Sequence, residues 1–184
     1  MKILAFGASN SRNSINKSFA NFVANQFEGA DKEIIDLNEY TLPIYSIDLE
    51  NASGFPPAIQ DFVSKLDSAD LIIISLAEHN GSYTAAFKNL FDWTSRFKNN
   101  MFEGKSLFLL SASPGARGAA SVMQAAQNRF PIHGAEIIGS FSLPKYPENF
   151  KPEQGIINEK LKENFSNVLE TVKQKLQGFD TNRE

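Results

Sequence analysis

The chain has no cysteine, only two histidines and a single tryptophan among its 184 residues. Without a thiol there can be no disulfide, thiolate metal site or cysteine nucleophile, and such a composition fits a reducing compartment. The two histidines lie in no cysteine or carboxylate cluster, so no metal site is expected. Charge of one sign is scarce as well. Eighteen Lys and Arg against 21 Asp and Glu leave a net charge of −3, which gives no electrostatic reason for binding nucleic acid or an anionic membrane. No apolar run approaches the length of a membrane span. The apolar start Ile3-Leu4-Ala5-Phe6 breaks at Gly7-Ala8-Ser9-Asn10, too soon for a secretory signal. The expectation is a soluble cytoplasmic protein, with residues 1–184 forming one domain.

What the chain does have is rhythm. Short apolar runs at Ile3–Phe6, Glu33–Asp36, Leu71–Ile74, Leu107–Leu110 and Glu136–Phe141 read as strands. Leu71–Ile74 is continuous rather than alternating, as in a strand covered on both faces. Between the runs, apolar residues recur at helical spacing, as in Ile15, Phe19, Phe22, Val23 and Phe27. Further helices are predicted over Ala58–Asp67, Thr84–Phe97, Gly118–Phe130 and Ile156–Leu176, the last ending near Gly178. The stretch Leu37–Pro57 reads as a long loop able to carry function. Five strands alternating with helices predict an α/β three-layer sandwich around a parallel sheet. Both common doubly wound strand orders fit this pattern. In either, ligands gather beyond the carboxyl ends of the strands, where the strand order reverses.

That places the loops after strands one, three and four under scrutiny. The first, Ser9-Asn10-Ser11-Arg12-Asn13-Ser14-Ile15-Asn16, offers hydroxyls, carboxamides and a guanidinium at a helix start and holds no acid. A helix amino end of this kind suits a phosphate. It has neither the dinucleotide glycine pattern nor a Walker motif, so a phosphate monoester such as that of FMN matches better than ATP. Ordinary capping needs only one such residue. After strand three come Ala77-Glu78-His79-Asn80-Gly81-Ser82-Tyr83. Asn80-Gly81 is a hairpin dipeptide, but the parallel setting puts a helix next and argues against a hairpin. Gly81 lets backbone N–H groups approach a flat ligand, and His79 offers a planar ring. After strand four, Ser113, Pro114, Gly115 and Gly118 form a turn whose glycines permit close backbone approach.

The third-strand segment resembles the Pro-Glu-Tyr-Asn-Gly-Ser…Lys-Asn…Asp-Trp signature of the NADPH-dependent FMN reductase family, flavodoxin-like enzymes that include quinone, azo and chromate reductases. Glu78, Asn80, Gly81, Ser82, Lys88, Asn89, Asp92 and Trp93 match at its spacing. The first loop is similar to the family's Gly-Ser-x-Arg-x-x-Ser-x-Asn, with Ser9, Ser14 and Asn16 on the matching positions. Ser11 stands where the family has arginine, and Arg12 follows one place later. His79 replaces tyrosine, Ala77 replaces proline, and Thr84-Ala85 replaces Pro-Gly. The loop after strand four resembles Ser-x-x-Pro-Gly-x-x-Gly.

The resemblance implies a flavodoxin-like sheet of order 2-1-3-4-5 and FMN as cofactor, with NADPH or NADH as donor. It also implies hydride transfer through flavin N5 to a small acceptor such as a quinone, azo compound or free flavin. It implies a homodimer or homotetramer, with Phe87, Phe91 and Trp93 as interface or core residues. The other class in view is a flavodoxin-type carrier that passes electrons to protein partners without oxidising NAD(P)H directly.

Overall fold

In a computed structural model, which describes residues 1–181, five strands form one parallel sheet. They are β1 (Lys2–Ala8), β2 (Asp31–Ile35), β3 (Leu71–Leu76), β4 (Lys105–Ala112) and β5 (Ala135–Leu143). Their spatial order is β2-β1-β3-β4-β5, every neighbouring pair running parallel. This is the flavodoxin-like order the resemblance implied. The strand order reverses between β1 and β3, and the loops leaving these two strands diverge there. The last three residues of the expected 1–184 domain lie outside the described residues.

The helices are α1 (Ile15–Ala24), α2 (Ile47–Ser53), α3 (Pro57–Ser68), α4 (Ala85–Phe97), α5 (Ala120–Arg129), α6 (Tyr146–Asn149) and α7 (Glu159–Thr181). Alternation along the strands sorts them into two layers. Leu4 and Phe6, with Ile72, Ile74, Leu107 and Leu109, face α3, α4 and α5 through Phe62, Phe87, Trp93 and Val122. Ile3, Ala5, Leu71, Ile73, Phe108 and Leu110 face α1 and α7 through Phe19, Val23, Phe165 and Val172. All six residues of β3 are buried, which explains its unbroken apolar run. Among the described residues, no helix is long and apolar enough to cross a membrane.

Three expectations are corrected. The stretch Leu37–Pro57 is not a plain loop: it holds a 3-10 turn at Leu37–Glu39 and then α2. Ser46 caps α2 by accepting from Leu49 N–H, and Gly54 ends it at φ 69°. No residue of α2 is buried, so it has no apolar stripe to betray it. The final helix starts later than expected, because Gly155–Ile156 pairs with Phe150–Lys151 in a small antiparallel ribbon. It then runs through Gly178 to Thr181. A glycine inside a helix costs only about 1 kcal/mol, too little to stop a 23-residue helix.

Candidate functional site

The three suspected loops meet in a crevice of about 240 Å³ at the carboxyl edge of the sheet. The loop after β1 lines it with Ser9, Ser11, Ser14 and Asn16. The loop after β3 contributes Glu78 and His79, and the loop after β4 contributes Ser113 and Pro114. Arg12 is not in this wall. It lies along a larger, more open groove of about 580 Å³ beside α1, together with Lys17 and Tyr146. That groove is built from α1 and its flanks rather than from the meeting of three strand ends, so the smaller crevice is the better candidate site.

The first loop shapes the phosphate end. Ser14 caps α1, its Oγ accepting from Lys17 N–H at 3.2 Å. Ser9 Oγ accepts from Ser11 N–H at 3.2 Å. A serine hydroxyl that accepts one bond still has its own proton to donate. Ser9 and Ser14 therefore present O–H donors beside the positive end of a ten-residue helix. Gly7 makes this approach possible, since a Cβ there would stand 2.3 Å from the backbone nitrogen of Lys17. Lys17 itself is paired with Asp36, and its hydrogen bond holds that carboxyl below the usual range.

Asn16 fits a different role from the one expected of it. Its carboxamide is buried and engaged: Oδ1 accepts from Ser75 Oγ at 2.7 Å and from Ala112 N–H at 2.9 Å, while Nδ2 donates to the Ala112 carbonyl at 3.1 Å. It ties the start of α1 to β3 and to the end of β4. It is a positioning residue.

Asn80-Gly81 does form a hairpin turn, contrary to the sequence expectation. Glu78–His79 pairs antiparallel with Ser82–Tyr83, and φ is positive at both central residues, 52° at Asn80 and 75° at Gly81. That backbone is the primed turn which the Asn-Gly dipeptide favours. The ribbon is an excursion between β3 and α4 and leaves the parallel topology intact. His79 reaches the crevice wall, whereas Asn80, Gly81 and Ser82 form the exposed tip. Glu78 anchors the base, Oε2 accepting from Val122 N–H at 3.0 Å in the first turn of α5. This carboxylate works as a helix cap supplied from another loop. Thr84 fixes the other end, donating to the Ala8 carbonyl at 2.9 Å and capping α4 at Phe87 N–H.

The loop after β4 is held by the chain after β5. Ser113 and Gly115 carbonyls accept from Tyr146 and Lys145 N–H, both at 3.0 Å. Gly118 (φ 59°) lies outside the crevice wall, and a Cβ there would sit 3.1 Å from the Pro144 nitrogen. Close packing of two loops requires this glycine, and Gly115 likewise stands beyond the wall.

Signature residues on α4 also turn out to be structural. Asn89 accepts from Tyr45 N–H at 2.9 Å and donates to the Pro43 carbonyl at 3.0 Å, and Trp93 Nε1 donates to the same carbonyl at 2.8 Å. Phe87, Phe91 and Trp93 are buried in this chain's own core, so the core alternative holds for all three. Two small residues that were not site candidates, Ala77 and Ala112, also line the crevice. Their signal was position: each stands at the carboxyl end of a strand.

The donor set suits FMN. Hydroxyls and a helix amino end answer a phosphate, and the one carboxylate in the wall, Glu78, already accepts a helix N–H.

Comparison with known proteins agrees. The model of the NADPH-dependent FMN reductase family matches residues 1–148. An NADPH:quinone oxidoreductase of Arabidopsis thaliana is 30% identical over 146 residues, 77% of this chain and 72% of the other. An NAD(P)H-dependent FMN reductase of Pseudomonas aeruginosa is 36% identical over 92 residues, 50% of this chain and 48% of its own. Among solved structures, the flavoenzyme NAD(P)H:(acceptor) oxidoreductase FerB of Paracoccus denitrificans superposes with a TM-score of 0.71 at 21% identity, covering 94% of this chain and 97% of FerB. An azoreductase of Bacillus anthracis gives 0.63 at 15% identity, covering 96% and 98%. The two structural likenesses establish a shared fold. With the family model spanning most of the sequence and the flavodoxin-like sheet in place, the chain belongs to the NADPH-dependent FMN reductase family of oxidoreductases.

Proposed function

We propose that the chain holds FMN with its phosphate in the three-loop crevice and uses NAD(P)H to reduce a small acceptor, a quinone, an azo compound or free flavin. The observation that carries this reading is the convergence of Ser9, Ser11 and Ser14 beside the start of α1. FMN, when bound, supplies hydride acceptance and onward electron delivery. The chain's own work is binding and placement. Ser9 and Ser14 donate to the phosphate, and the α1 amino end offsets its charge. Asn16 keeps the loops at one separation. His79 lines the crevice wall, and in this reading the ribbon tip, Asn80-Gly81, lies against the flavin ring. Arg12, one place from the family's arginine, lies in the adjoining groove, which shares Ser14 with the crevice, and adds positive charge on that side. In this reading the protein works in the cytoplasm as a homodimer or homotetramer.

The test is anaerobic stopped-flow mixing of FMN-loaded protein with NADPH, then with a quinone. Direct bleaching of the flavin by NADPH is expected, followed by reoxidation on the second mix. A carrier that passes electrons only to proteins would show no useful bleaching, and that result would overturn the reading. Ser9→Ala removes one charge-assisted bond worth about 1.5–3 kcal/mol. The FMN dissociation constant should rise at least about tenfold.

A further inference from the structure

Asn80-Gly81 is the one Asn-Gly pair in the sequence, and its setting leaves the pair chemically open. We propose that Asn80 is a deamidation site, and that its conversion lowers FMN retention as the protein ages. The second half rests on the functional reading above.

The chemistry needs only solvent water. The Gly81 amide nitrogen gives its proton to solvent and attacks Asn80 Cγ. A carbon–nitrogen bond forms, the bond to the side-chain nitrogen breaks, and ammonia leaves. Water then opens the cyclic imide at one of its two carbonyls, giving isoaspartate or aspartate. Nothing is oxidised or reduced.

Three structural features select this position. Both residues are exposed, and a Cβ added to Gly81 would meet nothing within 4 Å, so the turn is open to solvent on that side. The ribbon has just two residue pairs, Glu78 with Tyr83 and His79 with Ser82. A ribbon that short holds its turn weakly, so the tip opens to the cyclising geometry while Glu78 and Thr84 keep the base fixed.

The third feature is a contrast within the molecule. Asn10-Ser11 and Asn13-Ser14 are also exposed asparagines before a small residue. Their attacking amides are engaged, Ser11 N–H on Ser9 Oγ at 3.2 Å and Ser14 N–H on the Ser11 carbonyl at 3.2 Å. Among the described residues, none accepts a hydrogen bond from Gly81 N–H.

Asparagine can donate to a ligand, whereas aspartate at neutral pH only accepts. Losing one such bond corresponds to about fivefold weaker binding, and isoaspartate also lengthens the backbone at the turn.

The test incubates the full-length protein, with and without FMN, in mildly alkaline buffer at body temperature, and follows the peptides by mass spectrometry. Asn80 should exchange its side-chain NH for O before Asn10 or Asn13. FMN loading should slow the exchange by holding the ribbon. Asn80→Gly, which keeps the left-handed turn, should give no product in that peptide. Earlier conversion of Asn10 or Asn13, or an unchanged Asn80, overturns the site. Fluorescence titration of Asn80→Asp should show about fivefold weaker FMN binding. Unchanged affinity there leaves the site standing and overturns its consequence. Failure of fresh, unmodified protein to bind FMN would count against the functional reading alone.

Discussion

Replacing Asn16 by alanine should loosen the whole site, because its carboxamide holds the crevice wall together. The carboxamide serves three buried groups: Ser75 Oγ, Ala112 N–H and the Ala112 carbonyl. Ser75 is 0% exposed and Ala112 is 2% exposed. A buried polar group left without a partner costs about 1–3 kcal/mol. The crevice admits water to the space the side chain leaves, which holds each group at the lower figure and the total near 3 kcal/mol. In urea, a domain of this size loses about 2 kcal/mol of stability per molar denaturant, so the unfolding midpoint should fall by about 1.5 M. Urea unfolding of the FMN-free protein, followed by tryptophan fluorescence, measures this directly. Asn16→Asp keeps the shape but sets a carboxylate oxygen against the Ala112 carbonyl, and it should be no more stable than the alanine variant. A midpoint shift under about 0.3 M for both variants would refute the idea that this side chain staples the start of α1 to two strands.

Two further outcomes follow from the packing. Gly7→Ala would place a Cβ 2.3 Å from the Lys17 nitrogen and 2.7 Å from the Asn16 carbonyl carbon; because both are backbone, α1 must shift, at about 3 kcal/mol in denaturant melts. Gly115→Ala, with nothing closer than 3.8 Å, should stay within about 0.5 kcal/mol. Tyr83 carries a buried hydroxyl without a partner, and burial pushes its phenol up to about 12, with the Arg129 charge opposing. An unfolded phenol titrates near 10, so the folded state keeps the proton longer. Stability from this residue is complete below pH 10 and is lost as pH rises towards 12. Tyr83→Phe should therefore melt at the same or a higher temperature at neutral pH and should lose less stability between pH 10 and 12.

The sheet was legible because its strands obey burial rules that act locally. A run such as Leu71–Ile74 has one comfortable home, between two layers of helices. The phosphate loop was legible for a similar reason, since serines ahead of an apolar helix carry their chemistry with them. The part Asn16 plays in holding the loops together was hidden because the groups that claim it lie 59 and 96 residues away. Nothing near it in the sequence separates a ligand donor from a staple. The bonds from Asn89 and Trp93 to residues 43–45 were hidden by the same distance in sequence. The hairpin was visible in Asn80-Gly81 and set aside on topological grounds. That inference was too broad, because the six residues Glu78–Tyr83 suffice for a side excursion before the next helix. Helix α2 had its markers in Ser46 and Gly54, but an element that buries nothing leaves no periodic trace.

The ribbon between β3 and α4 is moored at its root and loose at its crown. Glu78 binds it to α5 and Thr84 to β1, while residues 80 and 81 stand exposed. An outer loop so placed can be lengthened, shortened or rewritten without disturbing the sheet beneath, so its sequence and the stability of the fold are separately adjustable.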